Sequence, residues 1–142
     1  MSWMKKLLRI NLSTASYIYE DIPLDILISY IGGKGLGTYY FFQEVPATTE
    51  PLSPENAIYI IPGVFSGTSV PASSRFHVVT KSPLTNICVD ASSGGHFGPE
   101  LRSFGVDMVV LEGKSDSLVG LHLQDNKVEF IDAHDYKGLG IY

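Results

Sequence analysis

The segment Ser92-Ser93-Gly94-Gly95 lies between an apolar run, 86–91, and a helical pattern of Phe97, Leu101 and Phe104. A strand that ends in serine and glycine before a helix gathers free backbone N–H groups and the positive end of the helix dipole around one point. Such a point binds phosphate or carboxylate groups. The same residues can also simply cap the helix, so both readings stay open. Arg75 stands where a long polar stretch meets a strand. Its forked guanidinium either clamps an anion or pairs with a carboxylate at the rim.

Other suggestive patterns fail their own chemistry. Gly32-Gly33-Lys34-Gly35-Leu36-Gly37 follows a helix, where a dinucleotide fingerprint needs a strand. It also lacks the lysine-serine order of a P-loop, so the preferred reading is a helix–helix turn with Lys34 exposed. Gly63-Val64-Phe65-Ser66-Gly67-Thr68-Ser69 has no lysine at all. His77, His96, His122 and His134 show no metal-ligand spacing. Ser66, Ser69, Ser73 and Ser74 lack a nucleophile elbow. Cys88 sits between Ile87 and Val89 and reads as a structural thiol.

The elements that must position these residues follow from periodicity and turn chemistry. Strands are expected at 7–12, 17–20, 57–61, 75–81, 86–91, 106–111, 118–123 and 127–131. Pro23 suits the first position of a helix whose stripe is Leu24, Leu27, Ile28 and Ile31, stopped by Gly32-Gly33. A second helix runs from about Leu36 to Val45, apolar on most sides and so expected to be buried. A third opens after Ser92 to Gly95 and must begin near residue 95 or later to hold Pro99 in its first turn. Residues 62–74 match neither period, and a loop that long is commonly functional. Asp125-Asn126 suits a two-residue hairpin turn. Strand runs outnumber βαβ units, which predicts an α+β fold: one β-rich domain over residues 1–142, mostly antiparallel, with three short helices.

Composition narrows the function classes. The 142 residues carry 15 acidic and 10 basic side chains, a net charge of −5, and no basic cluster, which argues against nucleic-acid binding. Hydrophobic residues make up 44% and charged residues 18%, below the usual share of about 25%, so part of the surface is expected to be covered by something else. One cysteine cannot by itself ligate an iron–sulfur cluster and fits a reducing compartment. The apolar run after Lys5 and Lys6 is too short for a membrane span or signal, which leaves the cytoplasm as the expected location.

Several stretches taken together resemble the aldehyde ferredoxin oxidoreductase family. They are Arg9-Ile10-Asn11-Leu12-Ser13-Thr14, Gly33-Lys34-Gly35-Leu36-Gly37, Pro51 to Asn56, Gly63 to Pro71, Arg75 to Thr85, Ser92 to Gly98 and Leu111-Glu112-Gly113-Lys114. The resemblance implies an N-terminal domain that forms the base for a tungsten or molybdenum cofactor held by two pterins. The full enzyme would oxidise an aldehyde to a carboxylate and pass electrons to ferredoxin. By position, Arg75 is similar to an arginine lying between a four-iron cluster and a pterin. Ser92 takes the place of an asparagine that helps hold the magnesium bridging the pterin phosphates, with Ser93, Gly94 and Gly95 in the same loop. The resemblance further implies that the cluster ligands and two helical domains lie beyond Tyr142. The chain is therefore expected to be inactive alone, needing those domains on another chain. The alternative is a non-catalytic module that self-associates through its uncovered face.

Overall fold

The computed structural model describes residues 3–140. Its elements are β1 (Lys6–Asn11), β2 (Ser16–Asp21), α1 (Leu24–Tyr30), α2 (Gly33–Glu44), β3 (Ala57–Pro62), β4 (Phe76–Lys81), β5 (Cys88–Ser93), α3 (Phe97–Ser103), β6 (Met108–Glu112), β7 (Val119–Gln124) and β8 (Lys127–Asp132). A 3₁₀ turn, His134–Tyr136, was not foreseen. A six-stranded sheet runs β2-β1-β6-β3-β4-β5, and β7 and β8 form a separate hairpin. Only the β1–β6 pairing is parallel, so the α+β, mostly antiparallel expectation holds. Asp125 and Asn126 both take positive φ, as a two-residue hairpin turn with the strand's own twist requires.

Alternation along the central strands splits the core into two layers. Leu7, Tyr59, Ile61, Val79, Met108 and Val110 face α1 and α2. Leu8, Ile10 and Val109 face Leu101 of α3 and Val128 of the hairpin. A period of two sends neighbours to opposite faces, so Leu7 and Leu8 are both buried because both faces are covered. Removing one such side chain from water contributes about 1.5–3 kcal/mol.

The helices depart from the sequence expectation. Only Leu27 of the predicted stripe in α1 is buried; Ile28 and Ile31 are 62% and 56% exposed. Helix α1 ends after seven residues, Ile31 turns to φ +65°, and Ile26 packs beside Leu27 in place of Ile28. Helix α2 buries one face through Leu36 and Phe41, while Phe42 faces outward, so it is not enclosed on most sides.

The expected turn at Gly33 to Gly37 is instead the opening of α2. Glycine is there for contact. A β-carbon on Gly35 would stand 2.7 Å from the Tyr30 carbonyl oxygen, and one on Gly37 would stand 2.4 Å from Ile61 Cδ1. Helix α1 at Gly35 and the sheet at Gly37 approach α2 too closely for a side chain, which outweighs the poor helix propensity of glycine.

On the side of α2, Arg9 gathers three carboxylates. Its Nε lies 2.7 Å from Glu20, Nη2 lies 2.8 Å from Glu44, and Nη1 lies 3.2 Å from Glu112. Burial alone would lower the Arg9 guanidinium, but its hydrogen bonds to Glu20 and Glu44 raise it well above its ordinary value. The Tyr59 hydroxyl donates to Glu44 at 2.7 Å. Burial first, and that hydrogen bond second, raise the Tyr59 phenol far above its usual range. The unfolded chain therefore loses this proton first, near pH 10. Stability from this group is present below that pH and falls as pH rises. The urea midpoint is expected to drop above about pH 10, and to drop less in Tyr59→Phe.

Candidate anion-binding site

Residues 63–75 form a compact loop stitched by its own hydrogen bonds. Gly63 N–H donates to the Arg75 carbonyl at 2.9 Å, closing the ends. The Ser66 hydroxyl, only 2% exposed as a residue, lies 2.8 Å from the Ser73 carbonyl and 3.0 Å from the Arg75 carbonyl. Ser73 Oγ in turn reaches the Phe65 and Val70 carbonyls at 2.8 Å. At the loop's entry, Arg102 Nη2 donates to the Val64 carbonyl at 3.1 Å, and Arg102 is itself paired with buried Asp107. Backbone groups in an irregular segment need such partners to be buried.

The loop delivers Arg75 to the start of β4. In the β4–β5 register His77 pairs with Ser92 and Phe76 with Ser93. The Arg75 side chain reaches diagonally across, and its Nη1 donates to Ser92 Oγ at 3.3 Å. Of the sequence candidates, Arg75 and Ser92 are thus brought together. Ser93 is exposed one residue on, and side chains alternate along a strand, so it looks to the other face. Gly94 and Gly95 follow in an open connection, with no atom within 4 Å of where a β-carbon would stand.

This placement corrects the helix-capping reading. Ser92 and Ser93 end β5 and do not open α3, whose cap is His96 with no side-chain hydrogen bond. Strand pairing with β4 holds the two serines in extended backbone. Helix α3 begins at Phe97, so Pro99 does fall in its first turn. The site therefore draws on Arg75 and an exposed Ser-Gly-Gly connection, not on a helix dipole.

The charges nearby are arranged unevenly. Lys34, at the opening of α2, pairs with Asp90 of β5 at 2.5 Å and holds that carboxyl below the usual range. His77 Nδ1 lies 3.8 Å from the same carboxylate, too far for a hydrogen bond, and is buried without a partner. Among the described residues Arg9 has three carboxylates, Arg102 has Asp107, and Arg75 has none. Of the two readings of Arg75, a rim carboxylate therefore has no candidate among the described residues. An exposed guanidinium with a neutral hydroxyl as neighbour keeps most of its five donors for an external anion.

The remaining candidates do not gather. His122 and His134 lie on exposed carboxylates, Glu129 and Asp132, at the hairpin. No group of three or more His, Cys, Asp or Glu side chains able to hold a metal ion occurs among the described residues. No helix among them is long and apolar enough to cross a membrane. The sequence gives no sign that Ser66 belongs to the site, because the signal that marks it, burial of a loop serine, is tertiary.

Comparison with known proteins agrees over nearly the whole chain. The sequence model for "Aldehyde ferredoxin oxidoreductase, N-terminal domain" matches residues 7–142. The tungsten-containing aldehyde ferredoxin oxidoreductases of Pyrococcus furiosus and Thermococcus kodakarensis are each 41% identical over 128 residues, 90% of this chain. An aliphatic sulfonate oxidoreductase WOR-like subunit of Pyrococcus furiosus is 33% identical over 138 residues, 95% of this chain and 22% of that protein. Among solved structures, a chain of the BamBC active site complex of benzoyl coenzyme A reductase with 1,5-dienoyl-CoA superposes with a TM-score of 0.93 at 32% identity. That match covers 96% of this chain and 21% of the other. The chain spans about a fifth of the length of the aldehyde ferredoxin oxidoreductases it matches, 21% in each case. By family match, identity and fold, the chain belongs to the aldehyde ferredoxin oxidoreductase family, as its N-terminal domain.

Proposed function

We propose that this domain holds the phosphate side of a pterin-bound tungsten or molybdenum cofactor, with Arg75 as its principal anion ligand. The observation that carries the reading is the Arg75 guanidinium, the one arginine without a carboxylate among the described residues, set beside Ser92 and the open Gly94-Gly95 connection. When bound, that cofactor supplies the two-electron centre at which an aldehyde becomes a carboxylate, with ferredoxin as the electron acceptor. Arg75 neutralises phosphate charge through parallel N–H donors. Ser92, by its hydroxyl or carbonyl, would supply an oxygen to a magnesium ion accompanying the phosphates. Beyond Ser93, whose side chain looks to the other face, the N–H groups of Gly94 and Gly95 complete the cradle, and the absence of side chains there lets a phosphate approach the backbone closely. Four-iron cluster ligands are not supplied by this stretch, whose one cysteine is Cys88.

Relatives named for aldehydes, for an aliphatic sulfonate and for benzoyl coenzyme A share this domain, which supports a role common to them rather than substrate choice. The test is titration of the chain with magnesium pyrophosphate, followed by nuclear magnetic resonance. The Arg75 side-chain and Gly94 and Gly95 amide signals are expected to move, with affinity about tenfold weaker in Arg75→Ala, equivalent to roughly 1.4 kcal/mol. Unmoved signals would remove the reading.

The outer surface of the helices supports a second reading. Ile28, Ile31 and Phe42 are 62%, 56% and 66% exposed, large apolar side chains on the two helices and their turn that a further domain or a second copy would cover. Light scattering that shows mass rising with concentration favours self-association, and a constant monomer mass at high concentration removes it.

A further inference from the structure

We infer that Ser66 is the positioning residue of Arg75, an assignment that rests on the anion reading above. The Ser66 hydroxyl has one proton and faces two carbonyls, those of Ser73 at 2.8 Å and Arg75 at 3.0 Å. It therefore joins the middle of the 63–75 loop to its last residue. The Arg75 carbonyl also accepts Gly63 N–H at 2.9 Å, so it is held from the loop's first residue as well as from Ser66. Two glycines make room for this clasp. A β-carbon on Gly98 would stand 3.0 Å from the Ser74 carbonyl oxygen and 3.4 Å from both the Arg75 carbonyl oxygen and Ser66 Oγ. One on Gly63 would stand 3.1 Å from the Arg75 carbonyl oxygen. The loop side and the α3 side thus both close on the peptide that carries Arg75.

The consequence concerns affinity. Arg75 is exposed and, among the described residues, only a long hydrogen bond to the neutral Ser92 hydroxyl, 3.3 Å from Nη1, holds the side chain's tip before an anion arrives. Its aim is set from the backbone end. Ordering a long side chain and its loop at the moment of binding costs affinity, and a clasp already formed in the free chain removes that cost. Ser73 is the natural contrast. Its hydroxyl stitches the same loop, hydrogen-bonding Phe65 and Val70 instead of Arg75.

The experiment is a nuclear magnetic resonance titration with magnesium pyrophosphate of the chain and of Ser66→Ala, Ser73→Ala, Gly98→Ala and Arg75→Ala. The Arg75 side-chain Nε signal is the readout in every chain that retains the arginine. Ser66→Ala is expected to weaken binding about fivefold, and Ser73→Ala by less than about twofold. Equal losses in the two serine variants, or none in Ser66→Ala, would overturn the assignment while leaving the anion reading intact. An unmodified chain that does not respond would instead remove the anion reading itself. Should Ser66→Ala fail to give a folded amide spectrum, Gly98→Ala decides the matter, because it disturbs the clasp with the hydroxyl still present. A loss matching Ser66→Ala's expected fivefold supports the assignment, and unchanged affinity overturns it.

Discussion

Asp107→Ala is expected to destabilise the chain by about 3–5 kcal/mol, read as a lowered urea midpoint at unchanged slope. Asp107 is 2% exposed and its partner Arg102 is 4% exposed, so this is an ion pair taken fully out of water. Removing one partner leaves the other charge buried and uncompensated, which costs far more than the pair contributes. Two further bonds are tied to it. The second Asp107 oxygen accepts the Lys5 N–H at 2.5 Å, and Arg102 Nη2 reaches the Val64 carbonyl at 3.1 Å. The variant therefore releases both the approach to β1 and the entry of the 63–75 loop. Amide exchange should accelerate across that loop more than across β3. The double variant Arg102→Met with Asp107→Leu is expected to recover part of the loss, because well-packed apolar groups can replace a buried pair. It will not recover all of it, since the Lys5 N–H stays without its acceptor. A loss below about 1 kcal/mol in Asp107→Ala would show that the pair is solvated in solution.

Gly37→Val is expected to cost about 2–3 kcal/mol, through overpacking where helix meets sheet. The first added carbon would stand 2.4 Å from Ile61 Cδ1 and 2.9 Å from Val79 Cγ2. Both neighbours are fully buried in the layer between α2 and the sheet, so neither can swing toward solvent. Valine is a better helix former than glycine by a few tenths of a kcal/mol, which leaves the clash dominant. The discriminating partner is Ile61→Val in the same background, which shortens the colliding side chain. It should restore part of the urea midpoint, whereas on its own Ile61→Val costs about 0.5–1.5 kcal/mol. Gains that simply add, with no recovery in the double variant, would argue against direct contact.

These two sites mark where sequence reading was sufficient and where it was not. The strands were legible because period-two alternation and turn residues are local signals, as in the Asp125-Asn126 hairpin. The loop at 62–74 was legible as irregular, and Arg75 at its end as a group in want of an anion or a carboxylate. The glycine run at 33–37 was misread because low helix propensity is a local fact, while its cause, the approach of Ile61 and the Tyr30 carbonyl, is a contact with other elements. The α1 stripe was misread for the same kind of reason. Spacing shows which residues share a face, and neighbouring elements decide whether that face is covered.

By itself the sequence determined the α+β class, the hairpins, the irregular loop and the family resemblance, all of which reside in residue order and short-range periodicity. The tertiary structure alone decided that Ser92 belongs to a strand and that its hydroxyl meets Arg75. It also decided that Ser66 grips the Arg75 carbonyl and that Arg75, unlike Arg9 and Arg102, has no carboxylate among the described residues. The reason is register. Arg75 and Ser92 are 17 residues apart, and whether they meet depends on β4 and β5 pairing His77 with Ser92. A shift of that pairing by one residue would turn Ser92 to the opposite face.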